Sequence, residues 1–368
     1  MLRYLDVEER GLSRDLWREA FPEDSEQFDD YYFTEKLKDN RILVIQEDGR
    51  IQSMVQLNPY LVQTGARKWR VDYIVGVATR KDKRHQGYMR KLLVQMMADM
   101  HGEMMPYCFL MPIDEAIYRP FGFTNIFEQP RVALKDGAGQ LRVAELRPGQ
   151  TQAIADAAEW MNRWLDERYQ VYAVRDEAYL VRLLKELGSE DGSLELLYDR
   201  GRLVGMQSFW GLGEKEQRLL YAEEGYVDSE PEDTGEASAV TSTMDLSAAE
   251  VSGHGDKKPG IMARIIAVQE MVKVIHLKKS VEPEELVIRL KLVDPLIEEN
   301  DGAWLWHLNH ETSWLERDSG ETKGKSGYLE LRIEELTAWL FGYRVPEAAQ
   351  EHADVVQVLQ GVFLDEVV

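Results

Sequence analysis

Apolar residues along this chain recur first at helical spacing and then in β-branched runs. Residues 12–40 carry helical patterning marked by Trp17, Phe21, Phe28, Tyr31, Tyr32 and Phe33. Residues 41–46 and 51–61 read as two strands joined by Glu47-Asp48-Gly49, a hairpin turn. Strands over 69–78 and 107–111 then bracket a helix over 88–101, whose Leu92, Leu93, Met96, Met97 and Met100 share one face. Helices followed by a mixed sheet are expected for this first unit.

The order repeats. Helices are expected over 153–167 and 177–187, and strands over 194–198 and 203–210 around Asp199-Arg200-Gly201. From about residue 280 the pattern changes: a strand over 287–293 leads through Asp294-Pro295 and a polar turn ending at Gly302 into a strand over 303–309. A further strand over 327–333 and a helix over 334–341 follow. Residues 223–256 interrupt this patterning with ten acids, no Lys or Arg and mostly small residues, too little apolar material to order a chain. A flexible acidic insertion is expected over about 223–258, and subtracting its ten charges from the net −22 leaves −12 on the rest. The expected fold class is α+β with mixed sheets, in three units over 1–141, 142–280 and 281–368.

Composition narrows the function classes. With 368 residues the chain has room for several cores. Its 66 acids against 44 bases argue against nucleic acid or an anionic membrane as partner and favour cationic ligands such as amines. Cys108 is the sole cysteine, which rules out an intrachain disulfide, and its apolar strand makes it a buried small hydrophobe. His307 and His310 would face opposite sides of a strand, so no metal site is expected. With no run of roughly 18 apolar residues and no charged-then-apolar leader, a cytoplasmic protein is expected.

One stretch carries candidate chemistry. The apolar strand over 71–78 ends in a basic turn containing Arg84-x-x-Gly87, and a helix begins at Tyr88. A helix N-terminus offers unpaired N–H groups and partial positive charge; with a glycine for close approach and a nearby cation it can cradle a diphosphate. An ordinary solvated basic turn is the alternative. About thirty residues on, after the strand over 107–111, stands Tyr118-x-x-x-Gly122-Phe123. Gly320 to Ser326 is one residue short of a phosphate loop and reads as a hairpin turn.

The first turn resembles motif A of the GNAT acyltransferases, although Met89 stands where that motif has a small residue, and the second motif resembles the signature after strand five of GNAT domains. The second unit repeats the order of the first without an Arg-x-x-Gly turn, and the third resembles a sterol-carrier-protein-like domain. Together they resemble the Eis (enhanced intracellular survival) family of GNAT N-acetyltransferases. The resemblance implies tandem GNAT-like domains, the second degenerate and binding no CoA, followed by a sterol-carrier-like domain. It implies acetyl-CoA as co-substrate, its pantetheine and acetyl carbonyl on the backbone at Val75 and Val77 and its pyrophosphate on Arg84, His85, Gly87 and Tyr88. Tyr118 would donate the proton to the departing thiolate, with a packing role as alternative. The carboxylate of Val368 would be the base, with Asp114, Glu115 or water as alternatives. Phe28, Tyr31 and Tyr32 would line the acceptor pocket or pack in the core. The implied acceptor is a primary amine of a cationic small molecule, aminoglycoside or polyamine-like, and the implied assembly a homo-oligomer, hexamer or trimer. A protein lysine acetyltransferase and a non-catalytic acyl-CoA or lipid-binding protein are the competing functions.

Overall fold

The computed structural model describes residues 1–128, 132–135, 141–229, 260–282, 284–320 and 327–366. The expected acidic insertion beyond residue 229, the turn over 321–326 and Val368 lie outside them.

The first unit contains β1 (Leu2–Tyr4), α1 (Arg14–Ala20), α2 (Glu26–Thr34), β2 (Arg41–Glu47), β3 (Arg50–Thr64), β4 (Arg67–Thr79), α3 (Tyr88–Gly102), β5 (Tyr107–Leu110), the single turn α4 (Glu115–Tyr118) and β6 (Thr124–Glu128). The apolar face expected for 88–101 is the buried face of α3. It packs on β2, β3 and β4. After β7 (Val132–Leu134), the second unit runs through β8 (Arg142–Leu146), α5 (Thr151–Asp166), β9 (Val171–Ala173), α6 (Glu177–Ser189), β10 (Ser193–Asp199), β11 (Arg202–Trp210), β12 (Glu216–Ala222) and β13 (Val227–Ser229). Next come β14 (Gly260–Ile265), α7 (Val268–Met271) and β15 (His276–Leu277). The third unit comprises β16 (Glu285–Val293), β17 (Gly302–Asn309), β18 (Ser313–Arg317), β19 (Leu329–Arg332), α8 (Ile333–Leu340), α9 (Gln350–Ala353), β20 (Val356–Gln357) and β21 (Val362–Phe363).

Sheet topology ties the units together in a way the linear boundaries do not convey. The main sheet runs β1-β2-β3-β4-β5-β14-β6, so a strand from residues 260–265 lies between two strands of the first unit. The far end of β3 pairs with β9, and β9 pairs in parallel with β21 near the end of the chain. Three stretches outside 1–141 therefore complete the first unit's sheet. The second sheet is the antiparallel β12-β11-β10-β8, and the third is β18-β17-β16-β19 with β16 and β19 parallel. Residues 227–229, at the start of the expected flexible insertion, are instead paired with β7. No helix among the described residues is long and apolar enough to cross a membrane.

Candidate active site

Strands β4 and β5 run parallel and pair at Tyr73 and Phe109. They are the strands expected over 71–78 and 107–111, brought side by side. Beyond that pair β4 is bulged: its register against β3 shifts between Met54 and Gln56, and Gly76 takes φ 58°. A Cβ on Gly76 would lie 2.7 Å from the Trp17 ring of α1, so only glycine fits the bulge. Val75 and Val77 flank it, half-buried.

The basic turn divides its cations between structure and solvent. Arg80 is buried and spent: it donates to Asp15 at 2.5 Å, Glu19 at 2.6 Å and the Ile51 carbonyl at 2.8 Å, clamping the turn to α1. Lys83 and the Tyr88 hydroxyl share Glu47, at 3.2 and 2.6 Å. Arg84 is exposed, reaches only the Thr79 carbonyl at 3.3 Å, and has no carboxylate at ion-pair distance among the described residues. His85 sits at φ 59°, and Gly87, the N-cap of α3, at φ 77°. A Cβ on Gly87 would meet nothing within 4 Å. The backbone here faces open space at the amide end of a 15-residue helix, with an uncommitted guanidinium beside it. These features fit a pyrophosphate.

Tyr118 ends α4. It is buried, packs edge-on against Phe123 at 6.1 Å, and finds no hydrogen-bond partner for its hydroxyl among the described residues. Burial alone pushes its phenol up to about 12, so the group holds its proton at neutral pH. The turn that follows is wedged. A Cβ on Gly122 would fall 2.8 Å from Ile333 and 3.1 Å from the Arg264 guanidinium. Arg264, fully buried on β14, donates to the Phe121 carbonyl at 2.6 Å and to Asp294 at 2.6 Å, fastening the tyrosine's loop to the third unit. The alternative bases are engaged structurally: Asp114 caps α4 through the Ala116 amide at 2.9 Å, and Glu115 accepts from Asn125 at 2.8 Å.

A small cavity of about 40 Å³ lies where the first and second units meet the C-terminal tail, lined by Lys36, Tyr60, Arg182, Glu186, Arg218 and Glu366 among others. Tyr73 connects it to the β4–β5 junction, its ring 6.1 Å from that of Tyr60 and 5.1 Å from that of Phe109. Of the aromatic residues expected at an acceptor pocket, none lines this cavity. Phe28 and Tyr32 are core residues around Trp17, with Tyr32 stacked on it at 4.2 Å. Tyr31 donates to Glu186 at 2.7 Å and so braces one wall.

The tail enters this region from β21. Arg175, fully buried, grips Asp365 at 2.5 Å and Glu366 through its other terminal nitrogen, and Tyr221 also donates to Asp365. Burial raises the Glu366 carboxyl, and the Arg175 charge partly offsets it. Val368, the expected base, lies outside the described residues.

Residues 2–126 match the acetyltransferase (GNAT) domain family and residues 270–362 the sterol carrier protein domain family. The chain carries a GNAT acetyltransferase domain. A sterol carrier protein domain follows it, the domain order expected from the motifs. Solved structures with the same fold span the whole molecule. A probable N-acyltransferase from Enterococcus faecalis V583, described as a conserved protein of unknown function, superposes with TM-score 0.71 at 16% identity, over 98% of this chain and 93% of that one. A GCN5-related N-acetyltransferase from Kribbella flavida gives 0.68 at 16% identity over 100% and 98%. Eis1 from Mycobacterium abscessus gives 0.62 at 12% identity over 100% and 99%. No curated protein matches the chain.

Several residues that shape this GNAT site escaped the sequence reading. Gly76 inside an apolar strand is a bulge signal, and Arg264 inside the run Ile261 to Ile266 is a charge in a place that demands a buried partner. Lys36 and Arg175 carry no local signal. Their role comes from the meeting of segments far apart in the chain.

Proposed function

We propose that the chain transfers the acetyl group of acetyl-CoA to a primary amine of a small molecule. GNAT acetyltransferases use acetyl-CoA, which supplies the thioester. The α3 N-terminus, open at Gly87 and flanked by Arg84, would hold its pyrophosphate, and the backbone at the Gly76 bulge would hold its pantetheine arm. The observation that carries the reading is Tyr118: a buried, neutral phenol with no internal partner among the described residues, on the loop that follows β5.

In the transfer, the amine nitrogen bonds the acetyl carbon, the carbon–sulfur bond breaks, and the sulfur takes the Tyr118 proton. The proton lost by the amine passes to a carboxylate of the C-terminal tail. The resemblance puts that role on Val368, and Asp365 and Glu366 are the buried tail carboxylates at the cavity. A polycation such as an aminoglycoside or polyamine would meet Lys36, Arg182 and Arg218 as well as the acids, so the wall does not favour a purely cationic acceptor.

The test is thiol release from acetyl-CoA with and without a panel of amines, in the wild type and in Tyr118→Phe. Amine-dependent release that collapses in the variant supports the assignment. Release without dependence on any amine, or none at all, defeats it.

A further inference from the structure

We infer that Lys36 receives a carboxylate group in the cavity of about 40 Å³, and that this cavity is the inner end of the acceptor site, so that the acceptor carries an acid as well as an amine. The inference deepens the acetyl-transfer reading by naming the acceptor's class, and rests on that reading only for its kinetic arm.

Lys36 is a buried cation that no carboxylate meets at close range among the described residues. Lys36 is 4% exposed, and it lines the cavity. It donates to the Tyr60 hydroxyl at 2.7 Å and lies over the Tyr60 ring at 5.1 Å, both neutral contacts. Among the described residues no carboxylate comes within ion-pair distance of it. Its neighbours in the wall are otherwise paired: Arg182 with Asp39 at 3.1 Å, and Arg218 with Glu186. Glu366 is held by Arg175. Glu186 and Glu366 act on Lys36 through space, but burial outweighs them and lowers its pKa.

A buried ammonium without a counter-ion is among the costliest arrangements in a protein, and an arriving anion removes that cost. An ammonium with three donors has room beyond Tyr60 for a carboxylate. Glu366 lines the same cavity, but Arg175 already answers its charge, so the amine of the acceptor is required by the transfer and not by this carboxylate. An acceptor that carries an acid beside its amine supplies the anion that Lys36 lacks. A polyamine supplies no such anion.

The experiment compares KM for glycine, β-alanine and 4-aminobutyrate with KM for their methyl esters, in wild type, Lys36→Met and Lys36→Arg. We expect at least one free acid to show a KM tenfold or more below its ester, a preference erased in Lys36→Met and kept in Lys36→Arg. Equal KM for acids and esters in the wild type, or a preference that survives Lys36→Met, overturns the inference. Should Lys36→Met fail to fold, the wild-type Lys36 Cε resonance in ¹³C-lysine-labelled enzyme, titrated with 4-aminobutyrate, decides. A shift supports the site; a resonance unmoved by the probe overturns it, since the cation is then satisfied within the protein. The two readings fail separately. Esters acetylated as readily as acids leave the acetyltransferase standing without this site, whereas a Lys36 shift without thiol release from any amine leaves the site standing without the transferase.

Discussion

The Trp17 ring occupies the space that a Cβ on Gly76 would need, 2.7 Å away, so α1 of the GNAT domain is seated directly on the bulge of β4. Gly76→Ala meets this ring and also an unfavourable positive φ. A loss of about 2–4 kcal/mol in stability is expected, from left-handed strain plus overpacking. Chemical denaturation measures it. Acetyl-CoA affinity should fall in the same variant, because the bulge positions Val75 and Val77; a stable Gly76→Ala with full affinity would detach the bulge from donor binding.

Arg84 separates folding from binding, and Gly87 couples them. Neither Gly87→Val nor Arg84→Ala removes a packed contact, since a Cβ on Gly87 meets open space and Arg84 is exposed. Each should weaken acetyl-CoA binding roughly ten- to a hundredfold, Gly87→Val by filling the cradle and Arg84→Ala by removing a charge-assisted contact. Calorimetric titration reads the change. The melting temperature should stay nearly unchanged in Arg84→Ala but fall in Gly87→Val, because a β-branched residue at φ 77° adds left-handed strain.

Tyr118→Phe keeps the ring that packs on Phe123 and removes the proton donor. Turnover should drop roughly 10²- to 10⁴-fold, with acetyl-CoA affinity and stability little changed. Because the wild-type phenol is pushed up to about 12, its proton stays in place across neutral and mildly alkaline pH, and turnover should show no loss below about pH 10 attributable to it. Near-normal turnover of the phenylalanine variant would make Tyr118 a packing residue.

Arg175→Met leaves Asp365 and Glu366 buried without their cation. Breaking a buried pair by removing one partner costs on the order of 3–5 kcal/mol, and freeing the tail is the way to escape that cost. The expected signature is faster proteolytic trimming of the C-terminus together with reduced turnover. A tail that stays protected in Arg175→Met would show that the β21 pairing with β9 suffices to hold it.

Asp24 gives a pH dependence with a definite sign. It accepts from Trp17 Nε1 at 2.7 Å, and burial pushes it up to about 6. A carboxyl raised in the folded state binds its proton more tightly there than in the unfolded chain, so it disfavours folding as pH climbs from the ordinary Asp value near 4 through 6. Asp24→Asn keeps an acceptor for Trp17 without the charge. The stability of the variant relative to wild type should therefore rise between pH 4 and pH 7 and level off above, in denaturation curves at each pH. A constant difference would place the wild-type titration outside that window.

Local chemistry was legible in the chain because it is made of neighbours. Apolar periodicity located α3, β4 and β5, and the Arg84-x-x-Gly87 turn and the Tyr118 loop followed from spacing, since a helix cap or a tight turn is completed within a few residues. The order of motifs was enough to expect a GNAT domain followed by a sterol-carrier-like one. What sequence could not provide is partnership across distance. An apolar run such as β14 fits any buried edge, and only tertiary packing puts it between β5 and β6 with Arg264 reaching Asp294 in the third unit. The aromatic residues of α2 illustrate the same limit: periodicity marks them as buried, but whether a buried ring faces a cavity or another ring depends on what arrives opposite, and Trp17 met Tyr32. The cavity itself is bounded by residues from position 36 to position 366. Its unmatched Lys36 charge arises from the placement of other groups around it, a property that belongs to the folded chain and to no segment of it.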